Sequence, residues 1–153
     1  MMIKKIGFLL ATTLILISCD NKKIEKETVV VSNETHQNNE GDSIELNNGS
    51  KWKVVSAMME HIRNMESDIN RFSETKHTEL KDFTQLGASL QKNIDLLTSN
   101  CTMEGKAHDE LHKWLLPYID LVDKLNKSKN SDEALRTFEE IKASYKLFSI
   151  YFE

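Results

Sequence analysis

The chain has 153 residues, with 20 basic against 24 acidic side chains and a formal net charge of −4. This acidic balance excludes nucleic acid as a partner, because phosphate binding needs basic clusters that displace counterions. It equally excludes docking on anionic lipid through the protein surface, which needs clustered Lys and Arg.

The first element is a leader. Lys4 and Lys5 precede an apolar run from Ile6 to Ile17, and Ser18 then precedes Cys19. The run has 12 residues, whereas a helix that spans a bilayer takes roughly 20, so these residues read as the apolar region of an export signal covering residues 1–18. The segment Leu16-Ile17-Ser18-Cys19 resembles the lipobox of bacterial lipoproteins, in which a small residue precedes the cysteine and an aliphatic one lies three places before it. The likeness covers only the leader. It implies cleavage before Cys19, diacylglycerol in thioether linkage on that sulfur, and a fatty acyl group on the new amino terminus. Lipid on Cys19 would hold the chain on the cell membrane or the outer membrane, with the rest in the periplasm or at the cell surface. At about 0.8 kcal/mol for each buried methylene, two or more acyl chains anchor stably. Removing the leader takes away two lysines and no acids, which leaves 18 basic and 24 acidic residues and a charge of −6.

Residues 19–50 are expected to be the lipidated cysteine and a flexible tether. From Asp20 to Gly49 there is no Phe, Trp or Tyr and no sustained apolar period. A coil of this length reaches about 30 Å.

Residues 51–153 are expected to form one domain, with a single proline and two glycines among them. Four apolar seams run through it with steps of 3 and 4. They are Val55, Met58, Ile62, Met65, Ile69 and Phe72; then Leu80, Phe83, Gly87, Leu90, Ile94 and Leu97, in which Gly87 lets a neighbour approach closely. The third is His108, Leu111, Leu115, Tyr118, Val122 and Leu125, and the fourth Ala134, Phe138, Ile141, Tyr145, Phe148 and Phe152. Asn100 or Thr102 is expected to cap the third helix, and Ser131 or Asp132 the fourth, because their side chains accept from the unpaired amides of a first turn. Pro117 falls inside the third helix and is expected to bend it, since it has no amide to offer the carbonyl of Lys113. Short connections make antiparallel neighbours, so the predicted fold is all-α, an up-down-up-down four-helix bundle.

That topology brings chemistry-bearing residues to one level. At a rise of 1.5 Å per residue, Met58 and His61 stand roughly 10 to 15 Å from the start of the first helix. His108 and His112 stand roughly 6 to 12 Å from the start of the third, at the same end of the bundle. With Cys19 consumed by lipid, Cys101 is a single thiol outside the cytoplasm, where it pairs, reacts or binds metal unless it is simply packed. His108 and His112 are four apart and share a helix face, a common half-site for Zn or Cu. The candidate metal ligands are therefore Cys101, Met103, His108, His112, Met58 and His61, with Met65 adjoining on the same stripe. Thiolate, thioether and imidazole donors together suit copper as Cu(I), with zinc a harder second choice. His36 lies in the tether and His77 at the opposite end, and both are excluded.

Motifs for other chemistries are missing. There is no C-x-x-C-H, glycine-rich phosphate loop or G-x-S-x-G turn. A di-iron bundle needs two Glu-x-x-His steps, and only Glu74 to His77 has that form. The chain is therefore not expected to be an enzyme. The stretch from Cys101 through Met103, Gly105, His108, Leu111 and His112 to Trp114-Leu115 resembles small periplasmic helical lipoproteins of Bacteroidota-type bacteria, a likeness that implies compartment and bundle but no activity. The leading expectation is a copper-binding lipoprotein. The alternatives are an envelope interaction module with an unusual exposed face around Trp52 and Trp114, and a bundle that holds non-covalent haem between Met58 and a histidine of the third helix.

Overall fold

The computed structural model describes residues 43–153. The expected leader, Cys19 and most of the expected tether lie outside the described residues. The described part is an all-α, four-helix, up-down-up-down bundle: α1 (Ser56–Ser73), α2 (Leu80–Ser99), α3 (Gly105–Lys127) and α4 (Ser131–Tyr151). Among the described residues, no helix is long and apolar enough to cross a membrane.

The seams account for the packing. Met58, Ile62, Met65 and Ile69 of α1 are buried, as are Phe83, Leu90, Ile94 and Leu97 of α2. Leu111, Tyr118, Val122 and Leu125 line the inner face of α3, and Phe138, Ile141, Tyr145 and Phe148 that of α4. Fully burying a large aliphatic or aromatic side chain contributes about 1.5 to 3 kcal/mol, so these stripes supply the main driving force for assembly. Successive helices pack side by side, and α2 also reaches α4. The ring of Phe72 on α1 meets that of Phe138 on α4 edge-on at 4.9 Å. An alanine Cβ at position 87 would overlap the Asn126 side chain of α3, so Gly87 does mark a close helix approach.

The helix ends differ from expectation. Asn130, not Ser131 or Asp132, caps α4, its Oδ1 accepting from the Glu133 amide at 2.9 Å. The Glu133 carboxylate in turn accepts from the Lys129 amide at 2.8 Å, so a second amide at the start of α4 is satisfied. Neither Asn100 nor Thr102 caps α3. Asn100 instead closes α2, its side-chain amide donating to the Leu96 carbonyl at 2.8 Å. The Asn amide can donate as well as accept, and here the orphan carbonyls of α2 take the donor. Residue 105 opens α3 at a φ of +66°, in the left-handed region where glycine carries no Cβ penalty. The α3 helix continues through Pro117, which lies on the exposed face.

Two further expectations need correction. Residues 43–50, read as tether, pack on the bundle. Asn48 (φ 50°) and Gly49 (φ 87°) turn the chain tightly between Asn47 and Ser50, which exchange two backbone hydrogen bonds. An Asn-Gly pair suits a turn with two positive φ values, so the signal for this turn is present in the sequence. The segment then pairs with the carboxyl end: the Trp52 and Val54 amides donate to the Tyr151 and Glu153 carbonyls, both at 2.8 Å. Trp114 belongs to no exposed face. It is 1% exposed, donates from Nε1 to the Ser144 carbonyl at 2.9 Å, and stacks on Tyr118. Trp52 is half-buried.

Candidate functional site

The site forms where α2 ends and α3 begins. Ser99 ends α2, the Cys101 amide bonds back to the Thr98 carbonyl at 3.3 Å, and the loop through residue 104 crosses the bundle end before Gly105 turns it into α3. Met103 is drawn into the core, 9% exposed, and so pins this loop. His108 and His112 follow one helical turn apart, with ring centroids 4.1 Å apart and planes tilted by 53°.

These residues surround one concavity of about 390 Å³. Met58 enters it from α1, Cys101 and Met103 from the loop, and His108 and His112 from α3, while Leu97 and Leu115 complete the apolar wall. Five of the six expected ligands thus border a single space. Their burial is graded: Met58 at 1% and Met103 at 9% exposure are covered, whereas Cys101, His108 and His112 are half-buried. The thiol is free. Thioethers therefore lie deep and the thiol and imidazoles nearer to solvent.

His61 stands apart from this group. It borders a neighbouring concavity between α1 and α2, and its Nε2 lies 3.5 Å from the Asn100 side-chain nitrogen. Its Nδ1 is buried and has no hydrogen-bond partner among the described residues. Ile62 takes the seam position in this turn, and His61, one residue before it, is rotated from it by about 100°, which turns its side chain towards α2. His61 thus touches the residue next to Cys101 and does not enter the concavity that Cys101 borders. Met65 is wholly buried core. His77 sits at the other end, its ring stacked on Phe72 at 3.6 Å and bonded to Asp82 and Thr75.

Among the described residues, no three His, Cys, Asp or Glu side chains cluster closely enough to hold a metal ion by those donors alone. A centre at this concavity therefore needs its thioethers. One thiol, two imidazoles and two thioethers make a soft set, and such a set fits Cu(I) better than Zn, whose protein sites draw on Cys, His and carboxylate.

The reading of the sequence missed Glu110. It lies on α3 between the two histidines, with its side chain fully buried. Oε1 accepts from Lys106 at 2.7 Å and Lys113 at 3.0 Å, and Oε2 accepts from the backbone amide of Glu45 at 2.8 Å. Burial alone would push this carboxyl up. The Lys106 and Lys113 ammonium groups and the Glu45 amide outweigh burial and hold it down at about 2. Lys113 also donates to the Ser43 carbonyl at 2.9 Å. Glu110 is a clamp that fixes the segment before α1 to the helix bearing both histidines. Lysines four before and three after an acid were a usable signal.

No family model, curated protein or solved structure gives a significant match to the chain.

Proposed function

We propose that this protein is a lipid-anchored envelope lipoprotein whose bundle binds one soft transition-metal ion, Cu(I), in the concavity bordered by Met58, Cys101, Met103, His108 and His112. The observation that carries the reading is the convergence of these five side chains, from three separate chain segments, on one space of about 390 Å³. Cu(I) is satisfied by few, soft ligands, so the thiol with one or two of its neighbours suffices. The half-buried position of Cys101, His108 and His112 supports uptake and release from the open side, and the covered methionines exclude water from the floor. His61, through Asn100, positions the turn that presents Cys101.

Two measurements test this. In bacteria fed labelled palmitate, the chain is expected to become labelled and Cys19→Ala to remain unlabelled; equal labelling of both removes the anchor from the reading. Residues 20–153, titrated with Cu(I) against a chromophoric chelator, are expected to bind one ion. The double variant Cys101→Ala, His108→Ala is expected to bind about a hundredfold more weakly, a loss of roughly 2.7 kcal/mol. Unchanged affinity in a variant with native circular dichroism would overturn the copper reading.

A further inference from the structure

We propose that the surface formed by the end of α4 and the segment before α1 docks on the headgroup layer of a zwitterionic phospholipid bilayer and so orients the bundle on its membrane, an inference that rests on the lipid anchor proposed above. Exposed apolar side chains gather on this surface. Leu147 is 40% exposed and Ile150 56%, and with the half-buried Tyr151 they lie three and four residues apart along one side of α4. The segment before α1 extends that side. The Trp52 amide donates to the Tyr151 carbonyl at 2.8 Å, and the Trp52 carbonyl accepts from the Glu153 amide at 2.9 Å. The indole Nε1 donates to the Glu45 carbonyl at 2.6 Å, which brings Leu46, 40% exposed, beside the ring.

Composition selects the occupant. Trp and Tyr, each with an apolar body and a polar tip, settle at the headgroup level of a bilayer, and Leu and Ile reach the acyl boundary below it. Lys keeps its ammonium in water while its stem lies along apolar surface. Residues 43–54 and 143–153 carry Lys51, Lys53 and Lys146, all exposed, together with Glu45 and Glu153. The ammonium groups suit the phosphate of a zwitterionic headgroup and the carboxylates its cationic end, whereas the two glutamates oppose an anionic surface. Position agrees with composition. Lys113 holds the Ser43 carbonyl at 2.9 Å, and Leu46 follows three residues later, at most about 10 Å away. Cys19 precedes Ser43 by 24 residues, and a coil of that length reaches about 27 Å. Lipid on Cys19 therefore gives this surface a high effective concentration at the bilayer, so a handful of side chains suffices to dock it. None of the five apolar and aromatic residues borders the Cys101 concavity, so the copper ligands take no part in docking.

The test uses the full lipidated chain in phosphatidylcholine vesicles, with and without bromine on the acyl chains, and reads tryptophan emission. Bromine quenches an indole at contact range, so quenching is expected from Trp52 and is expected to vanish in Trp52→Phe, where only the enclosed Trp114 remains. Leu147 and Ile150 are exposed, so the double variant Leu147→Ser, Ile150→Ser is expected to keep the parent's circular dichroism and to stay on the vesicles through its lipid. Its docked population is expected to fall about tenfold, read as lost quenching. The proposal is overturned if the vesicle-bound parent shows no quenching, or if quenching persists in either variant. It is also overturned if sedimentation in detergent shows a dimer that the double variant abolishes, which assigns the surface to a second copy. A chain that does not float with the vesicles removes the anchor, and this proposal with it.

Discussion

Replacing Trp114 by alanine is expected to destabilise the bundle by about 4 kcal/mol, the range for removing a large aromatic from a packed interior. The indole is 1% exposed and fills the space between α3 and α4, with Tyr118 stacked on it at 4.9 Å and Phe148 tilted against it at 4.7 Å. Its Nε1 donates to the Ser144 carbonyl across the interface, so truncation also removes a hydrogen bond between the two helices. The neighbours that touch the ring are themselves aromatic and rigid, which limits how far the cavity can collapse. A domain of this size is stable by only about 5 to 15 kcal/mol, so the loss is a large fraction of the total. Chemical denaturation should show it directly, and the melting temperature is expected to fall by roughly 20 °C. Trp52→Ala serves as the contrast, because that side chain is half-buried and its Nε1 bonds a carbonyl at the surface. A loss under about 1.5 kcal/mol for Trp114→Ala contradicts the packing described here.

Glu110→Ala is expected to cost about 3 kcal/mol at neutral pH, and the cost is expected to shrink in acid. The buried carboxylate takes three hydrogen bonds, two of them from ammonium groups, and each bond to a charged group contributes about 1.5 to 3 kcal/mol before solvent screening. Lys106 is well exposed, so screening reduces its share. The pH dependence follows from the carboxyl's depressed value in the folded chain, about 2, against its ordinary 4.5. A group depressed by folding stabilises the native state above its unfolded value, and that stability is lost as pH falls through the window from about 4.5 to about 2. The parent should therefore lose stability across this window more steeply than Glu110→Ala, so that the two denaturation midpoints converge towards pH 2. Parallel curves would mean that Glu110 carries no charge-dependent role. The variant should also free residues 43–46 from α3, visible as faster amide exchange at Glu45, whose N–H the carboxylate holds.

The four helices were legible because burial alone decides their spacing. Val55 to Phe72 and the three later seams step by 3 and 4, and each stripe turns inward once the helices pack. The convergence of Met58, Cys101, Met103, His108 and His112 was legible for the same reason, since rise per residue and alternating direction set their levels. His61 was assigned to that group by level, but level does not fix rotation about the helix axis. The caps at Asn130 and Asn100 were misplaced by one residue and by one helix, because an Asn side chain suits either helix end and only the surrounding backbone selects which orphan groups it serves.

Glu110 marks the boundary between the two kinds of information. By itself the sequence determined an acidic chain and four amphipathic helices that close into a bundle, because these depend on composition and on period along the chain. Only the tertiary structure decided that Glu110 would be buried, that the segment from Ser43 would be clamped to α3, and that Trp114 would face α4. Those outcomes depend on contacts between segments up to 70 residues apart, made by groups that lie off the seams or before the first helix. Periodicity tells a side chain that it is covered; which partner covers it is set by how the helices meet.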